Sequence, residues 1–300
     1  LEPILLVDDD SGYNFEFYYK NALDNKGYKY NVWHVSALGN SPNITILSLY
    51  QIIIWFTGND WRNTLTSEDQ ANLQTYLDSG GNLFISGQDI GWDLTKNGAV
   101  SNSFYQNYLH AQYMFDDTND DYVNGIAGDP ISDGLTLNLS GRNNNYPSAI
   151  EPINGATRIF IYFNNGTTAG LKYNGTYKLI YLAFPFEAIN NDSIQAELID
   201  RSIKWLDSIS PTWSNLKTSP ISPVSYSPGQ KYYFNISWTD TIKLDKVLLE
   251  FNNTNYTVIT HSGSEFYYVF SDLPAGTYYY RWYASDASNN WNTTDLQTFV

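Results

Sequence analysis

The chain has 300 residues, a formal net charge of −15, 16% charged and 17% aromatic residues, and no cysteine. An acidic chain without a Lys/Arg cluster excludes attraction to a phosphate backbone or an anionic membrane, so nucleic acid is not an expected partner. The aromatic content excludes a disordered chain, and the missing thiols exclude disulfides, thiolate metal sites and a cysteine nucleophile. The length suits two domains, each able to bury its own core, and no apolar run reaches the roughly 20 residues that span a bilayer. Leu1-Glu2-Pro3 leads straight into a strand pattern, so any export signal is expected to lie outside this sequence.

The first two thirds alternate strand and helix patterns. Ile4-Leu5-Leu6-Val7 is an apolar run; residues 14–26 are amphipathic and stopped by Gly27; residues 30–35 read as the next strand. Ile52-Ile53-Ile54-Trp55-Phe56 has the unbroken apolar, β-branched character of a central parallel strand covered on both faces. A helix follows over 67–78, with Thr66 as its cap and Gly80-Gly81 after its end, then a strand over 83–86 and a short helix over 104–110. Residues 116–134 read as a polar, acidic connection. Strands return at 158–163, 169–173 and 178–184, the last two joined by an Asn174-Gly175 hairpin turn, and a helix over 193–208 closes the region with a broad apolar stripe. The expected fold class is α/β, a mostly parallel flavodoxin-like sheet with helices on both faces, over residues 1–209.

A Pro- and Ser-rich linker is expected at 210–223. Beyond it, residues 224–300 change to short alternating strands at 232–238, 246–251, 256–260, 266–270, 277–283 and 296–300, the rhythm of an all-β sandwich.

Specific segments carry resemblances. Residues 4–10, 52–58, Gly80-Gly81-Asn82-Leu83-Phe84-Ile85-Ser86-Gly87 and the late hairpin resemble the glutamine-amidotransferase-like superfamily and its trehalose-utilisation (ThuA-like) branch. Leu6-Val7-Asp8-Asp9-Asp10, Trp55-Phe56-Thr57-Gly58-Asn59 and Ser86-Gly87-Gln88-Asp89-Ile90-Gly91 look like modules attached to secreted peptidases and surface proteins of archaea and bacteria. Amidotransferase members carry a nucleophilic Cys at the turn after the strand written here 83–86; this chain has Gly87-Gln88-Asp89 there, so that chemistry does not carry over. Leu273-Pro274-Ala275-Gly276-Thr277-Tyr278, with Trp238, resembles the corner of fibronectin type III or Ig-like domains, where a Tyr hydroxyl ties loop to strand.

Ligands of open α/β sheets collect beyond the carboxyl ends of the strands. The loops there supply a ligand-binding set of Asp9, Asp10, Asn59, Asp60, Trp61, Gln88, Asp89 and Trp92. So many carboxylates repel one another without a cation, a shared proton or amide donors. One reading is a Ca²⁺ site using Asp8 and Asp10, with a second acidic loop at Asp117, Asn119 and Asp121; the other is helix capping and solvated loops. No catalytic centre stands out. The runners-up are Asp89 and Glu187, a carboxylate pair that meets the minimum for glycoside hydrolysis, and His110, which with Ser86 and Asp89 gives a nominal triad lacking a Gly-x-Ser-x-Gly elbow.

Nine N-x-S/T sequons, at Asn43, Asn138, Asn165, Asn174, Asn191, Asn235, Asn252, Asn255 and Asn292, favour a glycosylated extracellular or cell-surface protein. The expected function is a non-catalytic structural or interaction module of an exported surface protein. Its expected partners are other surface-protein subunits, glycans or further copies of itself. A carbohydrate-active or other hydrolase and a carbohydrate-binding module are the alternatives.

Overall fold

The structure is a computed structural model and describes residues 2–96 and 102–300. The chain divides into two compact units, Leu1–Asp207 and Ser208–Val300.

The first unit opens with β1 (Ile4–Asp8), α1 (Glu16–Lys26), β2 (Tyr30–His34), the single turns α2 (Val35–Leu38) and α3 (Ile44–Leu47), β3 (Ile52–Phe56), α4 (Ser67–Asp78) and β4 (Asn82–Ser86). Local chemistry sets their ends. Gly27 stops α1 in the left-handed conformation, at φ 75, closing its N–H onto Asp24 and Leu23 carbonyls. Thr66 and Asp69 form a reciprocal capping box at the start of α4, which satisfies two amides that no carbonyl of the helix reaches. Then come α5 (Ile90–Lys96), α6 (Asn102–Asn107), β5 (Ala111–Phe115), β6 (Tyr122–Gly125), β7 (Thr136–Asn138), β8 (Ala149–Pro152), β9 (Thr157–Tyr162), β10 (Thr168–Asn174), β11 (Lys178–Leu182), a 3₁₀ turn at Phe186–Ala188 and α7 (Asp192–Leu206).

The sheet runs β2-β1-β3-β4-β11 in parallel and continues through β10, β9, β6 and β7 antiparallel, with β8 on β10 and β5 on β8. Every residue of β1, β3 and β4 is buried, as unbroken apolar strands require when helices cover both faces. On one face Leu5, Val7, Ile53, Trp55, Leu83 and Ile85 pack with Leu73, Tyr76 and Leu77 of α4. On the other, Tyr19 of α1 stacks on Phe56 at 4.2 Å and on Phe186 at 4.7 Å, and α7 lies against α1. Fully burying one such side chain stabilises the fold by about 1.5–3 kcal/mol.

The structure corrects the sequence expectations in the middle of this unit. The helix expected over 104–110 ends at Asn107, and His110 takes the left-handed conformation at φ 51, which no helix continues through. The stretch 116–134 contains β6, and β5, β7 and β8 are further strands that residue patterning did not show.

The second unit holds β12 (Thr212–Ser219), β13 (Lys231–Thr239), β14 (Leu244–Phe251), β15 (Thr254–Thr257), β16 (His261–Ser262), β17 (Glu265–Ser271), β18 (Tyr278–Asp286), β19 (Trp291–Thr293) and β20 (Gln297–Phe299). One sheet runs β12-β13-β17-β16, the other β15-β14-β18-β19 with β20 on β18. Their shared core includes Phe234, Ile236 and Trp238 from β13 with Leu249, Phe251 and Trp282 from β14 and β18. The segment read as a linker, 210–223, contains β12, whose backbone pairs with β13 along most of its length. The hydroxyl of Tyr278 donates to the Pro274 carbonyl at 2.6 Å.

Candidate functional site: an acidic, tryptophan-lined cleft

The parallel strands β1, β3 and β4 end on Asp8, Phe56 and Ser86, so the loops after them gather at one edge of the sheet. There Asn59, Trp61, Gln88, Asp89, Trp92, Asp116, Asp117, Asn145 and Tyr146 line a cleft of about 770 Å³. The turn from β4 into α5 places Asp89, and it has no room for a side chain at its first residue: a Cβ on Gly87 would fall 2.1 Å from Thr57 Oγ1 and 2.9 Å from Ile90 Cδ1.

Burial, then the neighbouring carboxylates of Asp116 and Asp93, push Asp89 up to about 7, so it keeps its proton to a much higher pH than an ordinary carboxyl. Asp116 is also raised by burial, but the backbone of Asp117 and the hydroxyl of Ser148 stabilise its charged form, and that hydroxyl lies 3.4 Å from Asp116 Oδ1. Two carboxyls in one cleft are thus held in different environments. Trp61 and Trp92 stand with ring centroids 5.8 Å apart and planes inclined by 53°, and the Arg62 guanidinium sits 4.0 Å from the Trp61 ring centroid.

Gln88 acts on the wall of the cleft. Its side-chain oxygen accepts from the N–H groups of Asn145 and Tyr146 at 3.0 and 2.9 Å, and its carbonyl accepts the Ser148 hydroxyl at 2.6 Å. Glu187 grips the same loop from behind, its carboxylate accepting from Asn143 Nδ2 at 3.0 Å and the Tyr19 hydroxyl at 3.1 Å. It is fully buried, with its ionisation raised by burial, and it does not line the cleft.

The other expected site residues divide. Asn59, Trp61, Gln88, Asp89 and Trp92 meet at the cleft, whereas Asp9, Asp10 and Asp60 are not part of its lining. Asp9 accepts from Trp55 Nε1 at 3.1 Å and is pushed up to about 7 by burial and then by Asp69. Asp10 ties the loop after β1 by accepting from Gly12 and Phe15 N–H groups at 2.9 and 3.1 Å, and burial, then Asp8, push it up to about 8. Burial also raises Asp60. The residues of the expected calcium loop are held by local hydrogen bonds. Asp117 and Asn119 form a local turn with positive φ, and Asp121 accepts from Asn144 at 3.2 Å.

The nominal triad does not form. Ser86 is engaged with the Phe184 carbonyl and the Phe186 N–H, both at 2.9 Å. His110 stacks on Tyr173 at 3.6 Å and bonds the Tyr177 hydroxyl at 2.9 Å, next to the amino end of β11. Because β11 runs parallel to β4, that is the edge of the sheet opposite Asp89. Burial lowers the His110 imidazole to about 4, so it stays neutral there. Asp116, Asp117, Asn145 and Tyr146 are cleft residues that sequence reasoning did not assign to it. The acidic run 116–121 was the one visible signal.

No family model matches the sequence, and no curated protein matches it. Solved structures that match include a GMP synthase subunit protein from Thermoplasma acidophilum, at 12% identity and a TM-score of 0.47, over 68% of this chain and 93% of that one. PurLQS from Thermotoga maritima matches at 10% identity and a TM-score of 0.46, over 69% of this chain and all of that one. Both are likenesses of fold alone. Neither is named as a surface module, in contrast to the non-catalytic surface role expected from the sequence.

Proposed function

We propose that the cleft binds a neutral carbohydrate and hydrolyses its glycosidic bond, with Asp89 as proton donor and Asp116 as the base. The observation that carries this reading is a carboxyl raised to about 7 in a cleft walled by two tryptophans. Indole faces pack on the apolar faces of sugar rings, while the amides of Asn59 and Asn145 offer hydrogen bonds to hydroxyls. An acidic cleft in a chain of net charge −15 repels anionic ligands. In the reaction the Asp89 proton passes to the departing glycosidic oxygen as the C–O bond breaks, and Asp116 takes the proton of the water that attacks the anomeric carbon.

Export and glycosylation belong to the same proposal. Asn43, Asn165, Asn174, Asn191, Asn252 and Asn255 are exposed, whereas Asn138, Asn235 and Asn292 are half-buried, and Asn292 Nδ2 is engaged with the Pro211 carbonyl. For the second unit we propose an Ig-like sandwich, supported by its two facing sheets and the Tyr278 corner.

The test is a panel of neutral oligosaccharides incubated with the intact chain and with Asp89→Asn and Asp116→Asn. Release of reducing ends by the parent chain, lost by about a hundredfold or more in either variant, supports the reading. Binding without turnover, or turnover that survives both substitutions, removes it.

A further inference from the structure

Away from the cleft, the parallel register of β1 and β2 sets Asp8 directly beside His34 at the carboxyl ends of both strands. The loop after β1 turns back through Ser11 and Gly12, at φ 60 and 86, and delivers Glu16 as the first residue of α1. One ligand-type atom from each of Asp8, Glu16 and His34 then lies within 4.8 Å of the other two.

Hydrogen bonding leaves this group incomplete. His34 Nδ1 bonds Asp8 Oδ2 at 2.6 Å. Asp8 is only 3% exposed, yet its other oxygen, Oδ1, has no partner, and neither has the buried Glu16 Oε2. An ion pair with His34 accounts for one carboxylate oxygen of Asp8 and for nothing on Glu16. Asp10 is also hydrogen-bonded to Asp8 through its side chain, whereas no donor of any kind reaches Glu16 Oε2. Among the described residues, the ion pairs include none between these carboxylates and a lysine or arginine. Desolvated carboxylate oxygens without donors are costly to bury, and a cation is the species that satisfies several at once.

We propose that Asp8, Glu16 and His34 bind a divalent first-row cation of the zinc or manganese type. One imidazole with two carboxylates is a donor set for such ions, whereas calcium and magnesium take oxygen ligands alone. Three protein ligands with bonds of about 2.0–2.2 Å leave a coordination position for water. The His34 side chain is 40% exposed, so the ion enters from solvent on that side. The site uses neither Asp89 nor Asp116, so it stands or falls apart from the carbohydrate reading.

The intact chain, stripped with chelator and dialysed, is titrated by calorimetry with ZnCl₂, MnCl₂, CaCl₂ and MgCl₂ in turn, alongside His34→Ala, Glu16→Gln and Asp89→Asn. The expected result is one equivalent of Zn²⁺ or Mn²⁺ bound more tightly than Ca²⁺ or Mg²⁺. His34→Ala and Glu16→Gln should each weaken it on the order of tenfold or more, and Asp89→Asn should leave it unchanged. His34 is partly exposed, so its replacement leaves the core intact, and circular dichroism of each variant confirms the fold. No binding of Zn²⁺ or Mn²⁺ at millimolar concentration, a preference for Ca²⁺ or Mg²⁺, or equal affinity in both ligand variants overturns the proposal.

Discussion

A carboxyl that is buried next to other carboxyls keeps its proton to higher pH, and Asp89 shows the consequence twice. Its folded ionisation near 7 lies above the ordinary value of 3.8, so it favours the folded state fully below about 4 and loses that contribution as the pH rises through about 7. Asp89→Asn should therefore flatten part of the fall in melting temperature between pH 4 and 8, and each ~1 kcal/mol corresponds to about 2–4 °C for a unit of this size. Parallel thermal scans of the two proteins across that range check it. Catalysis should show the same group: the rate of the parent chain should decline above about pH 7 as the donor ionises, a limb read from a pH–rate profile.

The elements decide whether that carboxyl points into the cleft. Gly87→Ala puts a methyl group where Thr57 and Ile90 already stand, so the β4–α5 turn must shift, and turnover should drop while the sheet persists. Near-parent kinetics for that variant would show the turn to be more yielding than its contacts imply. Gln88→Ala cuts two side-chain bonds to the loop carrying Asn145 and Tyr146, which should raise KM by more than it lowers kcat. Thr66→Ala removes one half of the α4 capping box and should destabilise the first unit by about 1 kcal/mol, measured by denaturant unfolding. Legibility follows the same lines. The apolar runs of β1, β3 and β4 and the caps of α1 and α4 are visible in the sequence because each is decided by residues close together in the chain. The strand Ala111–Phe115 is not, because only its first residue is buried and its place is set by pairing with residues 149–152. Asp116 follows that strand, so an acidic residue plain in the sequence becomes a cleft wall only through a distant backbone partner. His110 went astray for the reverse reason: nearness in sequence to the strand-end loops does not say which end of β11 it meets.

At the scale of the whole molecule, each unit owns its core. The cluster around Phe234, Trp238 and Trp282 draws only on the second unit, and the one around Trp55 and Tyr181 only on the first. Residues 208–300 expressed alone should unfold cooperatively, and residues 1–207 alone should retain the cleft and any turnover it performs; a molten 208–300 fragment by near-ultraviolet circular dichroism would contradict the first expectation. A boundary drawn at 224 instead would strip β12 from its sheet and leave β13 as an unpaired edge, which favours aggregation.

The inclination of Trp61 to Trp92 makes the cleft a corner instead of a slot. A single flat ring cannot lie face-on against both indoles at 53°, whereas two successive rings joined at a bend can, one on each wall. With Arg62 already over one face of Trp61, a stacking ligand meets that wall from one side alone. Curved chains of linked rings should therefore be held better than rigid linear ones of equal length, and shape, before chemistry, becomes the first sieve.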